Sequence, residues 1–156
     1  MPESIRNIIT AIKLFDDIEA VHVADILAWI DSGAGLYRLT KPATPPKHLV
    51  SYAAIVDTVK HKMLLLEHVN AGLLLPAGGH VELDEDPKLA AERELREELS
   101  LQARFIMDEP FFITQAITVN IGAGHTDVSL WYLLSGDSES SITYDKNEFN
   151  GYAWYS

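Results

Sequence analysis

The segment Asp86 to Leu101 (DPKLAAERELREELSL) constrains this chain more than any other. Asp86 can cap a helix, Pro87 suits the first helical position, and Ala90, Ala91, Leu95 and Leu99 favour continuation, so the spacing predicts a helix over Pro87 to Leu99. At about 100° per residue, Glu94, Glu97 and Glu98 fall at roughly 0°, 300° and 40°, while Ala91, Leu95 and Leu99 form the adjoining stripe. One face is apolar and its neighbour carries three carboxylates. Like charges at this spacing cost an isolated helix about 0.2–0.5 kcal/mol per pair, which a shared cation reverses. With no cysteine in the chain, a metal has only oxygen or imidazole to bind. Clustered carboxylates suit Mg²⁺, with Mn²⁺ as the alternative.

The rest of the chain supplies a setting for that helix. Ile5, Ile8, Ile9 and Ile12, then Val23, Ile26, Leu27 and Ile30, recur at helical spacing, with Asp16 or Asp17 available as a cap between them. Residues 4 to 31 therefore read as two helices, ended by Gly33 and Gly35. Pro42, Pro45 and Pro46 make Lys41 to Lys47 a connector. Short apolar runs at Leu49 to Val56 and Lys62 to His68 read as a strand pair, and further strands are expected at Ala103 to Ile106, Phe111 to Val119 and Asp127 to Leu134. Pro76 to Asp86 reads as loop, and Gly122, Gly124 and Ser135 to Ser141 mark turns. Strands, one central helix and then more strands indicate a mixed α/β fold rather than a regular βαβ array.

Two regions follow: an N-terminal helical extension and Pro-rich connector over residues 1–48, and a catalytic-type domain over 49–156. A chain of 156 residues has room for one compact core. No apolar run approaches the ~18 to 20 residues that span a bilayer, and Met1 to Lys13 lacks a secretory signal pattern, so a cytoplasmic location is the default expectation. The net charge of -11 disfavours long nucleic acids, whose binding depends on lysine and arginine displacing counterions. A small phosphorylated ligand remains compatible with that acidity when divalent cations bridge it to carboxylates.

The loop Leu75, Pro76, Ala77, Gly78, Gly79, then Glu85, Arg93, Glu94, Leu95, Arg96, Glu97, Glu98, Leu99, Ser100 and Leu101, resembles the signature of the Nudix (MutT-like) hydrolases. In that signature a glycine, a glutamate, an arginine–glutamate pair and a glutamate pair stand at these spacings. Ser100 departs from it, occupying the place of a glycine at the helix C-terminus, where a left-handed conformation is eased by glycine. The resemblance extends over about residues 49 to 156.

The resemblance implies a Nudix-type α/β/α sandwich with a mixed central sheet. It matches Glu94, Glu97 and Glu98 to the metal-binding glutamates, Gly78 to the position whose carbonyl often completes the metal shell, and Glu85 and Arg93 to a pair that orients the loop and the first glutamate. Such a guanidinium can fork onto two carboxylates. Gly78 and Gly79 would let backbone amides approach phosphate. The implied activity is metal-dependent hydrolysis of a diphosphate linkage in a nucleoside diphosphate derivative or nucleoside triphosphate. One glutamate, or an acid from another loop, takes the proton of the attacking water; among the three, Glu94 is favoured.

Other candidates lie outside the signature. His125 and Asp127, before and at the start of a strand, are candidate substrate contacts, and His80 and Glu82 behind the glycines either contact phosphate or metal or form an exposed loop pair. Glu148 is a candidate additional acid. Trp131, Tyr132 and Trp154 either stack on a base or belong to the core. Two other activities compete: isoprenoid diphosphate isomerisation, disfavoured by the missing cysteine, and nucleotide sensing without turnover. The family's usual closing helix after the last strand does not appear in this sequence, so the N-terminal pair is expected to cover that sheet face or to form a homodimer contact.

Overall fold

A computed structural model describes residues 2–41, 44–118 and 124–156. Helices α1 (Pro2–Thr10) and α2 (Asp17–Asp31) precede strands β1 (Lys47–Asp57), β2 (Lys62–His68), β3 (Leu73–Leu75) and β4 (Ala77–His80). Helix α3 (Pro87–Leu99) follows, then β5 (Phe112–Ile117), β6 (Thr126–Ser135) and β7 (Phe149–Tyr155). The strands form one mixed sheet in the order β3-β2-β1-β6-β5, with β4 paired to β1 and β7 to β2. β1 and β6 run parallel through its centre, with Leu49 opposite Val128 and Ala53 opposite Tyr132. None of the described helices is long and apolar enough to cross a membrane.

The mixed α/β architecture agrees with the sequence reading, as do both N-terminal helices and the bounds of α3. Asp16 is the cap of α2, accepting a hydrogen bond from the Glu19 amide at 2.8 Å. Asp86 caps α3 by accepting from the Lys88 amide. Several segments differ. Ala77–His80, read as loop, is a strand in register with Val50 to Ala53 of β1, because glycines without side chains can lie against a neighbouring ladder. Ala103 to Ile106 forms no strand beyond one bridge between Phe105 and Leu134. The short β3 and the aromatic β7 are additional strands, each defined by pairing with β2. Gly124 has a φ of 97°, as a turn glycine would, whereas Gly122, Val119 and Pro42 lie outside the described residues.

The N-terminal pair shares the apolar core of the sheet. Ile5, Ile9, Ile26 and Ile30 are buried together with Leu49, Leu95, Ile113 and Leu130. α2 is also pinned by polar contacts: the buried Glu19 accepts the Ile113 amide at 3.0 Å, and Asp25 receives both Lys47 and the Gln115 side chain. Side chains alternate along a strand, so Lys47, Ser51 and Gln115 share one face through the β1–β6–β5 register. Ser51 donates to the Pro87 carbonyl of α3 from that same face. The N-terminal pair therefore extends the layer begun by α3, instead of covering the opposite face in place of the family's closing helix.

Candidate active site

α3 places its glutamates against β4. Ala90, Ala91, Leu95 and Leu99 are buried, which fixes the rotation of the helix and turns Glu94 and Glu98 toward the strand. Gly78 and Gly79 give them room. A Cβ on Gly79 would collide with the Glu94 carboxylate, and one on Gly78 with the Ser51 carbonyl and Tyr52. The Gly78 amide donates to Glu98 Oε2 at 3.3 Å. That carboxylate engages a group the sequence reading reserved for phosphate.

Arg93 organises the acids. Its Nε and Nη2 fork onto the two oxygens of Glu85 at 2.8 and 3.0 Å, Nη1 donates to Glu94 at 2.8 Å, and Nη2 also reaches the His80 carbonyl at 3.1 Å. Glu97 Oε2 stands 3.4 Å from Nη1, with its side chain largely in solvent. Glu85 in turn accepts the Glu82 amide at 2.9 Å, which closes the turn leading into α3. Burial opposes ionisation of Glu85, but the Arg93 fork and this amide hold its carboxyl below the usual range. All the signature residues thus meet in one place: Gly78, Gly79, Glu85, Arg93, Glu94, Glu97 and Glu98.

The electrostatics of this cluster favour a cation. Burial pushes the Glu98 carboxyl up to about 9, helped by the charges of Glu94 and Glu148. Burial also raises Glu94, although Arg93 works against it. A carboxylate buried beside another, as Glu98 is beside Glu94, holds its proton more tightly. The donor set is oxygen throughout, so the residues present fit Mg²⁺ or Mn²⁺. Glu148, set apart by its position outside the signature, lies within electrostatic range of Glu98.

His125 and Asp127 join a different group. By strand alternation, His48, Val50, Tyr52, Asp127 and Trp131 face away from the α3 side. There Asp127 stands 3.2 Å from His48 Nε2 and 3.6 Å from His125 Nε2, and the His48 and His80 rings are 4.8 Å apart. Burial, followed by the nearby Arg38, lowers the His80 pKa to about 4. Trp131 stacks on Tyr52 at 4.6 Å, whereas Tyr132 is buried in the core. Arg38 lies within electrostatic range of both Asp127 and Glu94, so the two groups are neighbours around β4. His48 escaped the sequence reading; only the parallel pairing of β1 with β6 sets it opposite Asp127.

Comparison with known proteins agrees with this geometry. The family model of the NUDIX domain matches residues 47–156. The fold is similar to that of a Nudix-family hydrolase from Clostridium perfringens, at 24% identity over 70% of this chain and 81% of that one, with a TM-score of 0.55. It is also similar to the Escherichia coli dihydroneopterin triphosphate pyrophosphohydrolase, at 16% identity over 77% and 82% of the two chains, TM-score 0.56. A MutT Nudix hydrolase from Burkholderia pseudomallei has 22% identity over 70% and 82%, TM-score 0.53. No curated protein matches significantly. With a matched segment that spans most of the chain and contains the glutamate helix, this protein belongs to the NUDIX domain family.

Proposed function

We propose that this Nudix hydrolase cleaves a diphosphate linkage in a nucleoside diphosphate derivative or nucleoside triphosphate, with Mg²⁺ or Mn²⁺ held by Glu94, Glu97, Glu98 and the Gly78 carbonyl. The supporting observation is the adjacent carboxylates of the buried Glu98 and the half-buried Glu94, on a helix packed against a glycine strand. Arg93 already pairs with Glu94, and a divalent ion shared with Glu98 would offset the remaining charge. When bound, the divalent ion supplies Lewis-acid polarisation of a phosphoryl oxygen and lowers the pKa of water.

The chain's own residues do the positioning. Arg93 fixes Glu94 and Glu85 relative to one another, and Glu85 holds the turn through the Glu82 amide. Glu94 takes the proton of the attacking water, oriented by the guanidinium on its far side. Glu97, the most exposed of the three, meets the phosphate side of the site. His125 and Asp127 lie on the sheet face turned away from α3, so no step of this reaction falls to them. Incubating the protein with Mg²⁺ and a panel of nucleotides, followed by product analysis, tests this reading. Turnover should appear for at least one member and fall by about 100-fold or more in Glu98→Gln; equal turnover in that variant would overturn the mechanism.

A further inference from the structure

We propose that His48, His80, His125 and Asp127 form a separate site for a transition ion of the Zn²⁺ type, on the sheet face turned away from α3. Each residue offers a ligand atom, and these atoms all lie within 4.8 Å of one another. They are brought together by three strands: His48 stands directly across from Asp127 in the β1–β6 pairing, His80 opposite Val50 at the end of β4, and His125 just before β6.

Three polar atoms of this cluster are buried without a hydrogen-bond partner. His48 is fully buried, and its Nδ1 is 2.7 Å from the Pro45 carbonyl. A carbonyl only accepts, so Nδ1 carries a proton, and in that tautomer the lone pair lies on Nε2. That nitrogen points into the cluster without a hydrogen-bond partner, 3.2 Å from Asp127 Oδ1 but out of line for a bond to it. Asp127 Oδ1 and His80 Nε2 are likewise buried and unpartnered. Buried polar atoms left without partners call for an explanation, and a cation placed between them would supply one.

His125 Nδ1 also has a partner, a hydroxyl that can either donate to it or accept from it. Thr118 Oγ1 lies 3.2 Å from the His125 carbonyl oxygen and 3.2 Å from its Nδ1. With the hydroxyl hydrogen on the carbonyl, Nδ1–H donates to Oγ1 and Nε2 is free to face Asp127 at 3.6 Å. Metal-bound histidines characteristically hold their second ring nitrogen in such a bond, which fixes ring and tautomer. In a tetrahedral zinc site, bonds of about 2.0–2.1 Å separate the ligand atoms by about 3.4 Å. The Asp127 contacts already have that spacing, and all the ligand atoms lie within 4.8 Å of one another.

Chemistry separates this site from the glutamate cluster. Three imidazoles and one carboxylate suit Zn²⁺, Co²⁺ or Ni²⁺, whereas an all-oxygen set suits Mg²⁺. Arg38, within electrostatic range of Asp127 and His80, disfavours an ion held by charge alone and leaves one held by directional nitrogen bonds. Occupancy would tie β1, β4 and β6 together at the end where β4 carries Gly78 and Gly79 past the glutamates.

Chelator-treated full-length protein, titrated with Zn²⁺ alone by calorimetry and with Co²⁺ by visible absorption, tests the proposal. The wild type should bind Zn²⁺ at this site, give the intense visible bands of tetrahedral Co²⁺, and unfold at a higher temperature with Zn²⁺ present. His125→Ala and the isosteric Asp127→Asn should each weaken Zn²⁺ binding by about 100-fold, while Glu97→Gln should retain it together with the cobalt bands. The site is refuted if the wild type takes up no Zn²⁺, if Asp127→Asn binds as the wild type does, or if the cobalt bands vanish in Glu97→Gln.

Discussion

Gly79 and Glu94 compete for the same space: a side chain at position 79 would sit where the Glu94 carboxylate lies. Gly79 is therefore small because of its neighbour across the β4–α3 contact. Gly79→Ala should leave the protein folded and lower kcat by about 100-fold, the order expected when a catalytic group is displaced by about 1 Å. Steady-state kinetics beside a thermal melt checks this, and unchanged kcat would detach Glu94 from catalysis.

Arg93 makes bonds that lysine cannot reproduce, because its planar fork meets both Glu85 oxygens while another nitrogen serves Glu94. Arg93→Lys keeps the charge and loses the fork. It should cost about 1–3 kcal/mol in stability and reduce kcat more than it raises KM. Denaturant unfolding and kinetics on the same preparation measure both effects.

Without divalent ions, stability should fall as pH rises. Glu98 is buried beside Glu94 and holds its proton up to about 9 in the folded chain, against an ordinary 4.5 in the unfolded one. Between those values the folded state binds more protons than the unfolded state, so the slope is negative, at most about 1.4 kcal/mol per pH unit. The stability present below about 4.5 is lost progressively toward about 9. Mg²⁺ favours the carboxylate, so it should raise the melting temperature more near the top of that window than near the bottom. Glu98→Gln should flatten the slope; a slope unchanged in this variant would assign it to another group.

Ser100 ends α3 in a left-handed conformation, with φ 52° and ψ 32° and its amide on the Arg96 carbonyl. A non-glycine residue there costs about 1–2 kcal/mol, partly offset by the lower entropy of its unfolded chain. Ser100→Gly should therefore stabilise the protein by about 0.5–1 kcal/mol without altering kcat, read from chemical denaturation.

Glu19 joins the N-terminal helices to the sheet, accepting the Ile113 amide from a position 1% exposed. Glu19→Ala leaves that amide unsatisfied in the interior. The loss should be about 1–3 kcal/mol, with one cooperative transition in which α1 and α2 melt together with the sheet. A biphasic melt would show that the extension unfolds by itself.

The glutamate site was legible in the chain because its parts are local. Asp86, Pro87 and the alanine–leucine stripe specify a helix whose rise and turn alone bring Glu94, Glu97 and Glu98 to one arc, with Arg93 and Glu85 close in sequence. The helical extension was legible for the same reason, through the isoleucine period. Strand β4 and strand β7 were not, since a glycine run and a mixed aromatic run become strands only when β1 and β2 offer them edges. Nor was the histidine cluster as a group: His80, His125 and Asp127 stand out singly, but they meet one another and His48 only through the register of β1 with β6 and β4. Helical geometry repeats within a few residues and can be read from the letters, whereas the pairing of distant strands is decided by which apolar faces can be buried together in the folded chain.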